Sequence, residues 1–165
     1  MPTNLSVIDQ GANDLLRHAV ATVAYRGGKT LRGATEGFSE TTAGAGSRSA
    51  VEILAHIGDL FDWAITTVEG RQTWKNSTPL PWQDEVARFH ARLKAFDEAL
   101  VQKPVTAAEA ERLFQGPIAD SLTHVGQIAQ LRRIAGSTIK AENYFQADIA
   151  RGRTGPDQAA PKREF

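Results

Sequence analysis

Apolar residues recur at steps of three and four along four stretches of the chain. This spacing places them on one face of an α-helix, so each stretch predicts a helix that buries one side. The first predicted helix runs from about Asn13 to Arg32. The pair Gly27-Gly28 weakens helix formation there, which predicts either close approach by another backbone or a bend. Residues 33–49 are rich in glycine, serine and threonine and predict a long loop of the kind that is often functional.

The second and third predicted helices carry clear start and stop signals. Ser49, followed three residues later by Glu52, forms a capping-box pattern that begins a helix, and Gly70 is a typical end. The third helix ends at Pro104 and has a heptad-like apolar seam, as bundle helices have. The residues of this seam are Trp82, Val86, Phe89, Leu93, Phe96 and Leu100.

The fourth helix follows a shorter element. Thr106 and Glu109 form a second capping box, which predicts a short helical turn. Gly116-Pro117 then predicts the start of the fourth helix, because proline suits a first helical position. Gly136 predicts its end.

The pattern weakens beyond the fourth helix. Residues 143–150 predict a small extra helix with Phe145 and Ile149 as its inward contacts. Residues from Gly152 onward predict a tail, since prolines and scattered charges replace the apolar period. Residues 137–165 therefore form a predicted C-terminal extension.

Four amphipathic helices of similar length must bury their apolar faces on one another, and a four-helix bundle does this. We therefore expect an all-α fold, a four-helix bundle with a short additional C-terminal helix. One domain is expected over residues 1–165, with a core of about 13–136. The long first loop leaves room for a crossover connection in place of strict up-and-down order.

Composition narrows the classes of partner. The 19 basic and 19 acidic residues cancel, so no charge surplus draws the chain to nucleic acid or to an anionic membrane. The chain has no cysteine, which excludes disulfides, thiolate ligands and cysteine nucleophiles. The N-terminal residues lack a signal-peptide layout, and no run approaches the ~20 apolar residues of a membrane helix. We therefore expect a cytoplasmic protein with neither nucleic-acid nor membrane partners.

The second and fourth predicted helices carry the residues best suited to chemistry. Asp120 and His124 are four apart, so on a helix they share one face, one turn from each other. His56 lies on the flank of the second apolar stripe, where two helices meet. Imidazole nitrogen and carboxylate oxygen both donate lone pairs to divalent cations, and bundle metal sites use such side chains from facing helices. These three residues predict either a metal site with open positions or an internal polar network that holds helices together.

Two further residues of the fourth helix have candidate roles around such a site. Gln127 can orient a metal ligand by a hydrogen bond to the atom of that ligand that does not bind the metal. Arg132 falls on the core stripe, and a buried arginine needs a partner. An acidic side chain is the favoured partner, and an anionic substrate is the functional alternative.

The remaining titratable candidates favour ordinary roles. His18 and His90 are expected to be solvated or hydrogen-bonded. Asp59 and Asp62, three apart on the second helix, are expected to be solvated or paired with a neighbouring arginine.

Two sequence signatures resemble those of a known family. The runs Glu52-Ile53-Leu54-Ala55-His56-Ile57 and His124-Val125-Gly126-Gln127 are similar to the helix-two and helix-four signatures of the DinB/YfiT-like superfamily. The resemblance covers the chain from the first helix to Gly136. It implies a four-helix bundle that binds a divalent metal, often nickel or zinc, through one helix-two histidine and an H-x-x-x-H pair on helix four.

Carried over by position, His56 matches the helix-two ligand and His124 the second histidine of the pair. Asp120 stands where the family has the first histidine. The resulting two-histidine, one-carboxylate set favours iron, manganese or nickel over zinc, or else marks a site that has lost its metal. Some members use the metal to activate a low-molecular-weight thiol in transfer or isomerisation reactions.

Two functional hypotheses follow from these residues and this resemblance. The first is a metal-dependent enzyme, of the thiol-transferase or hydrolase type, that acts on a small molecule such as a low-molecular-weight thiol. Its cofactor is a divalent nickel, zinc, iron or manganese ion. The second is a non-catalytic bundle that binds a small molecule or a partner and keeps a vestigial metal site. Pairing of two copies through an exposed apolar stripe is a further expectation.

Overall fold

Helices carry the fold of the residues that the computed structural model describes, which are 5–165. The helices are α1 (Val7–Leu31), α2 (Ala50–Val68), α3 (Trp82–Gln102), α4 (Ala107–Leu113) and α5 (Ala119–Ile134). Short 3-10 turns lie at Glu36–Phe38 and Tyr144–Gln146. The only pairing of extended backbone over residues 5–165 is one bridge between Glu142 and Glu164. The expectation of an all-α helical bundle is confirmed.

The order of the helices around the bundle differs from their order in the chain. Both α1 and α2 pack against α3 and α5, so α1 and α2 lie at opposite corners. The loop of residues 32–49 therefore crosses one end of the bundle, which is the crossover for which its length leaves room. The short α4 packs against α1 and leads into α5.

Apolar side chains of all the long helices meet in one core. The predicted seam of α3 is confirmed, since five of its six residues are buried and Val86 is partly buried against the core. The largest fully buried apolar side chains are Trp82, Tyr25, Phe61, Phe89, Phe96, Leu54, Ile57, Leu93, Leu100, Ile118 and Ile128. Over residues 5–165, no helix has the combination of length and apolar content that crossing a membrane requires.

The approach expected at Gly27 comes from a side chain and not from a backbone. A Cβ atom at Gly27 would overlap the ring of Phe89 on α3. Glycine is therefore needed for α1 and α3 to pack this closely, and α1 continues unbroken to Leu31.

The helix boundaries follow the capping signals, with one difference at α1. The Ser49–Glu52 capping box is present, because Glu52 Oε2 accepts from the Ser49 amide at 2.7 Å and Ser49 Oγ accepts from the Glu52 amide. The box of Thr106 is present as well. However, α1 begins six residues before the predicted Asn13, because the Ser6 side chain accepts from the Asp9 amide and caps an earlier first turn.

The predicted start of the fourth helix at Gly116-Pro117 is wrong. The helical path runs from α4 through a π turn at Phe114–Ile118 directly into α5. Proline lacks the amide proton and its ring clashes with the carbonyl four residues earlier, so the widened turn accommodates it without ending the helix. This turn packs against α1 and α2 and lies directly before Asp120.

The predicted helix over residues 143–150 and the predicted tail are also wrong. Only the 3-10 turn Tyr144–Gln146 forms, and the side chain of Phe145 is 98% exposed instead of inward. The C-terminal segment lies against the bundle, where buried Lys29 donates to Glu142 at 2.7 Å and to Glu164 at 2.9 Å. These charge-assisted bonds join residues more than a hundred positions apart, which no local pattern reveals.

Candidate metal centre

Three side chains from α2 and α5 converge at the border between the two helices. His56 comes from α2, and Asp120 and His124 lie one turn apart on α5. One nitrogen or oxygen atom of each lies within 4.8 Å of the others. His124 Nε2 is 3.4 Å from Asp120 Oδ1, and His56 Nε2 is 3.7 Å from Asp120 Oδ2. We call these three residues the donor cluster.

A hydrogen bond from behind orients the ring of His124. Its Nδ1 lies 2.7 Å from Gln127 Oε1, one turn further along α5. Because an amide oxygen only accepts, this contact is made by an Nδ1 that carries a proton, and in the neutral form of that ring Nε2 has the lone pair. Nε2 is the nitrogen beside Asp120. In this form of the ring, His124 therefore presents a lone pair to the centre of the donor cluster.

The two imidazoles meet edge to face. Their ring centroids are 4.8 Å apart with an interplanar angle of 89°. Both histidine side chains are mostly buried, whereas that of Asp120 is 45% exposed. The cluster therefore opens to solvent on the carboxylate side, and its imidazoles form the inner wall.

Electrostatics keep His56 neutral at neutral pH. Burial lowers the pKa of His56 below 6.5, and the charges of His124 and Arg48 lower it further, against the opposing effect of Asp120. A neutral imidazole has a free lone pair, which is the form that binds metal.

An aromatic side chain that the sequence analysis missed covers His56. Trp74 lies on the connection between α2 and α3, with its ring centroid 5.7 Å from that of His56. The connection is held to α2 at two points, since Thr66 Oγ accepts from the Thr73 amide and Asp59 accepts from Ser77. Trp74 therefore forms a fixed wall on the α2 side of the donor cluster.

Two cavities flank the donor cluster, one beside each histidine. The cavity beside His124 has a volume of about 320 Å³ and that beside His56 about 160 Å³. The first is lined by Ala43, Ser47, Arg48, Ile53, His124, Gln127, Gln130 and Leu131. The cavity beside His124 is thus lined partly by residues of the long loop. A larger cavity of about 580 Å³ lies nearer Trp82 and is lined by none of the three donors.

The structure gives Arg132 backbone carbonyls as partners in place of the acidic side chain favoured from the sequence. Its guanidinium donates to the carbonyls of Thr30 and Arg32 at 2.9 Å and of Ser137 at 2.8 Å. The bonds to Thr30 and Arg32 satisfy the end of α1, whose last carbonyls have no partner within the helix, and the bond to Ser137 holds the segment that follows α5. Arg132 is 5% exposed and lines neither cavity beside the donor cluster. The expected acidic partner is therefore wrong, and the observed role is that of a helix cap.

The other titratable candidates have ordinary environments, as expected. His18 is exposed on α1, and buried His90 has its Nδ1 3.2 Å from the Thr154 carbonyl. Asp59 and Asp62 pair with Arg88 of α3 at 2.6 and 2.8 Å. Arg88 also lies near Glu85.

We call the group formed by Asp59, Asp62, Glu85, Arg88 and Ser77 the Arg88 network. A Cβ atom at Gly58 would lie 2.7 Å from the Arg88 guanidinium, so the absence of a side chain there allows Arg88 to cross α2. Neither the role of Arg88 nor that of Gly58 was anticipated from the sequence.

The donor cluster fits a divalent cation by its chemistry and its spacing. Ligand atoms held about 2.1 Å from one ion at tetrahedral angles lie about 3.4 Å apart. The two carboxylate–imidazole distances of 3.4 and 3.7 Å, which run to different oxygens of Asp120, are close to that value, and one donor atom from each residue lies within 4.8 Å of the others. Two neutral imidazoles and one carboxylate suit nickel, iron, manganese and zinc, and three protein ligands leave positions for other molecules.

Comparison of the chain with known protein families, curated proteins and solved structures finds no match.

Proposed function

We propose that this protein is a divalent-metal-dependent enzyme of the DinB/YfiT-like superfamily, of the thiol-transferase or hydrolase type. The observation that carries the proposal is the convergence of His56, Asp120 and His124 from two helices, with donor atoms within 4.8 Å. The helical bundle and the two signature runs agree with this family. The substrate class is a small molecule, and a low-molecular-weight thiol is the first candidate.

Each residue near the cluster has a distinct part in this proposal. His56, Asp120 and His124 hold the cation, and Gln127 holds His124 in the tautomer that binds it. A bound divalent cation supplies Lewis acidity, which lowers the pKa of a coordinated water or thiol to about 7. Trp74 restricts solvent on the α2 side, and the exposed carboxylate side admits a substrate.

A non-catalytic bundle with a vestigial site is the second candidate. The observation in its favour is that Asp120 lies close to both histidines at once. The three side chains can therefore interact with one another without an ion, which makes them a polar contact between α2 and α5.

Metal analysis distinguishes the two candidates. We expect protein purified without chelator or nickel resin to hold a transition metal in stoichiometric amount and His124→Ala to lose it. His18→Ala is the matched control, because His18 is exposed on α1 outside the donor cluster, and it should keep the metal. Metal-free wild-type protein, with unchanged thermal stability in His124→Ala, would contradict the metal site and favour the second candidate.

Two further measurements identify the element and the substrate class. An X-ray fluorescence scan with anomalous maps names the metal and its contacts together. Cobalt(II)-substituted protein should show a thiolate-to-metal charge-transfer band when a small thiol is added, if a thiol is the substrate. A metal-loaded protein without this band would keep the metal site and remove the thiol from the proposal.

A further inference from the structure

Arg48 is the residue that the two cavities beside the donor cluster have in common. It lines the cavity of about 320 Å³ beside His124 and the cavity of about 160 Å³ beside His56. It stands directly before Ser49, the cap of α2, so the start of that helix holds its backbone in place. A molecule that fills either cavity therefore meets this guanidinium.

The cavity beside His124 has one apolar wall and one polar end. Ile53 and Leu131 form the apolar wall, whereas Arg48 and His124 contribute a charge and a lone-pair donor. Its volume is near the lower limit of the roughly 300–1,000 Å³ that ligand pockets have. The dimensions and the lining suit a small molecule with an apolar body and a polar head.

Arg48 forms no ion pair with the described side chains, and the nearest charge effect on a carboxylate is its contribution to the lowered pKa of Glu52. Arg48 is exposed, and none of the described carboxylates lies within ion-pair distance of it. Glu52, which lines the smaller cavity with it, already accepts from the Ser49 amide in the capping box. The guanidinium is thus available to a ligand, and it is shaped for bidentate binding of a carboxylate.

We propose that the cavity between Arg48 and His124 binds a small carboxylate with an apolar body, whose negative charge pairs with Arg48. This inference rests on the proposed function, since a ligand seated there has its other end beside the donor cluster. It narrows the substrate class from any small molecule to an apolar carboxylate. Arg48 is thus the specificity-determining residue, and it supplies the contact to an anionic substrate that the sequence left as the alternative role of Arg132.

Hexanoate and hexanamide are suitable probes, because they share an apolar body and differ in charge. Isothermal titration calorimetry of the wild-type protein should show hexanoate binding at least tenfold more tightly, a difference of about 1.4 kcal/mol. Arg48→Gln should remove this preference and leave hexanamide affinity unchanged, and Arg48→Lys should keep part of it. Arg133→Gln is the control, since Arg133 is exposed on α5 and lines neither cavity.

Three results would overturn the inference. They are equal binding of the two probes, no hexanoate binding at millimolar concentration, and a preference that persists in Arg48→Gln. A parallel titration with nickel or zinc separates this inference from the proposed function. Metal binding without hexanoate binding refutes only the carboxylate, whereas Arg48-dependent hexanoate binding without metal binding refutes only the metal enzyme.

Discussion

Helix α2 contributes to two polar clusters that lie one turn apart but differ in how completely their charges are satisfied. In the Arg88 network, Asp59 and Asp62 accept hydrogen bonds from the Arg88 guanidinium at 2.6 and 2.8 Å. Ser77 also donates to Asp59 through its amide and its hydroxyl. In the donor cluster, the carboxylate of Asp120 faces two imidazoles. The carboxylates of the first cluster are hydrogen-bonded within the protein, whereas the second brings one donor atom from each of three side chains within 4.8 Å of the others.

The difference shows how differently the two clusters are connected to the rest of the fold. Every acidic member of the Arg88 network has a cationic partner on α3, so the network joins α2, α3 and the connection between them. The donor cluster joins α2 to α5 only through His56 and Asp120, whose Nε2 and Oδ2 atoms are 3.7 Å apart, longer than a direct hydrogen bond. His56 and Asp59, three positions apart on the same helix, thus differ in their partners, since Asp59 faces a cation of α3 and His56 faces the carboxylate and imidazole of α5.

Removal of the cation from the Arg88 network should have the largest effect on stability. Arg88→Met leaves buried Asp59 and Glu85 without a counter-charge, and we expect a loss of about 3–5 kcal/mol in the free energy of unfolding. Urea denaturation measures this loss. Arg92→Met is the matched control, because Arg92 is 38% exposed and pairs only with Asp62, and it should cost less than about 1 kcal/mol. Equal losses in the two variants would show that the network is not structural.

Added metal should stabilise the protein through the donor cluster, whereas the Arg88 network contributes to stability without metal. In the wild-type protein, free nickel or zinc at a hundred times its Kd should raise the free energy of unfolding by about 2.7 kcal/mol. Asp120→Asn should lose this gain and change the stability of metal-free protein little, since the carboxylate is half exposed. Asp157→Asn, at an exposed C-terminal position, should retain the gain. A metal-free Asp120→Asn protein as unstable as Arg88→Met would assign the donor cluster to the fold.

The sequence predicts the donor cluster better than it predicts the Arg88 network. His56, Asp120 and His124 stand at positions that helical periodicity alone places on the faces of two neighbouring helices. Their convergence needs only that α2 and α5 be adjacent, which any small bundle makes common. The partner of Asp59 and Asp62, in contrast, depends on Arg88 crossing α2 at Gly58, a match of two helices that no single segment encodes.

Features that depend on contacts distant in the chain escaped prediction for the same reason. Arg132 binds carbonyls about a hundred residues away, and the C-terminal segment is held by Lys29 of α1. Pro117 was interpreted by its local preference for a helix start, whereas packing of the turn against α1 and α2 favours a continuous helix. Local capping signals, such as that of Ser49, were predicted correctly because both partners lie within four residues.

The two clusters should also differ in pH dependence, since metal binding by the donor cluster and stabilisation by the Arg88 network are lost at different pH. Burial and the charge of His124 depress the pKa of His56, so protons compete with metal at this residue only below pH 6.5. Burial alone would raise the pKa of Asp62, but hydrogen bonds from Arg88, Arg92 and Lys75 outweigh it and hold that pKa below 3.8. The stability from Asp62 is thus complete above about pH 4 and is lost as the pH falls through the lowered pKa.

Urea titrations from pH 8 to pH 3, with and without metal, measure both windows. We expect the metal-dependent gain to fall below pH 6.5, while the cost of Arg88→Met stays constant until the pH falls below 4. A gain that is already lost above pH 6.5 would mean that protonation of a group other than His56 controls metal binding. A cost that declines together with the gain would mean that the two clusters titrate as one.

The finest test concerns the orientation of a single ring. Gln127→Leu removes the oxygen that fixes the tautomer of His124, and loss of such an outer contact commonly weakens metal binding by about 10–100-fold. We expect a loss of about tenfold by calorimetry, with little change in metal-free stability because Gln127 is exposed. Gln130→Leu is the control, since Gln130 lines the same cavity, and Gln127→Glu should restore affinity by keeping an acceptor. If both leucine variants weaken the metal equally, the effect belongs to the polarity of the cavity, and His124 needs no partner to present its lone pair.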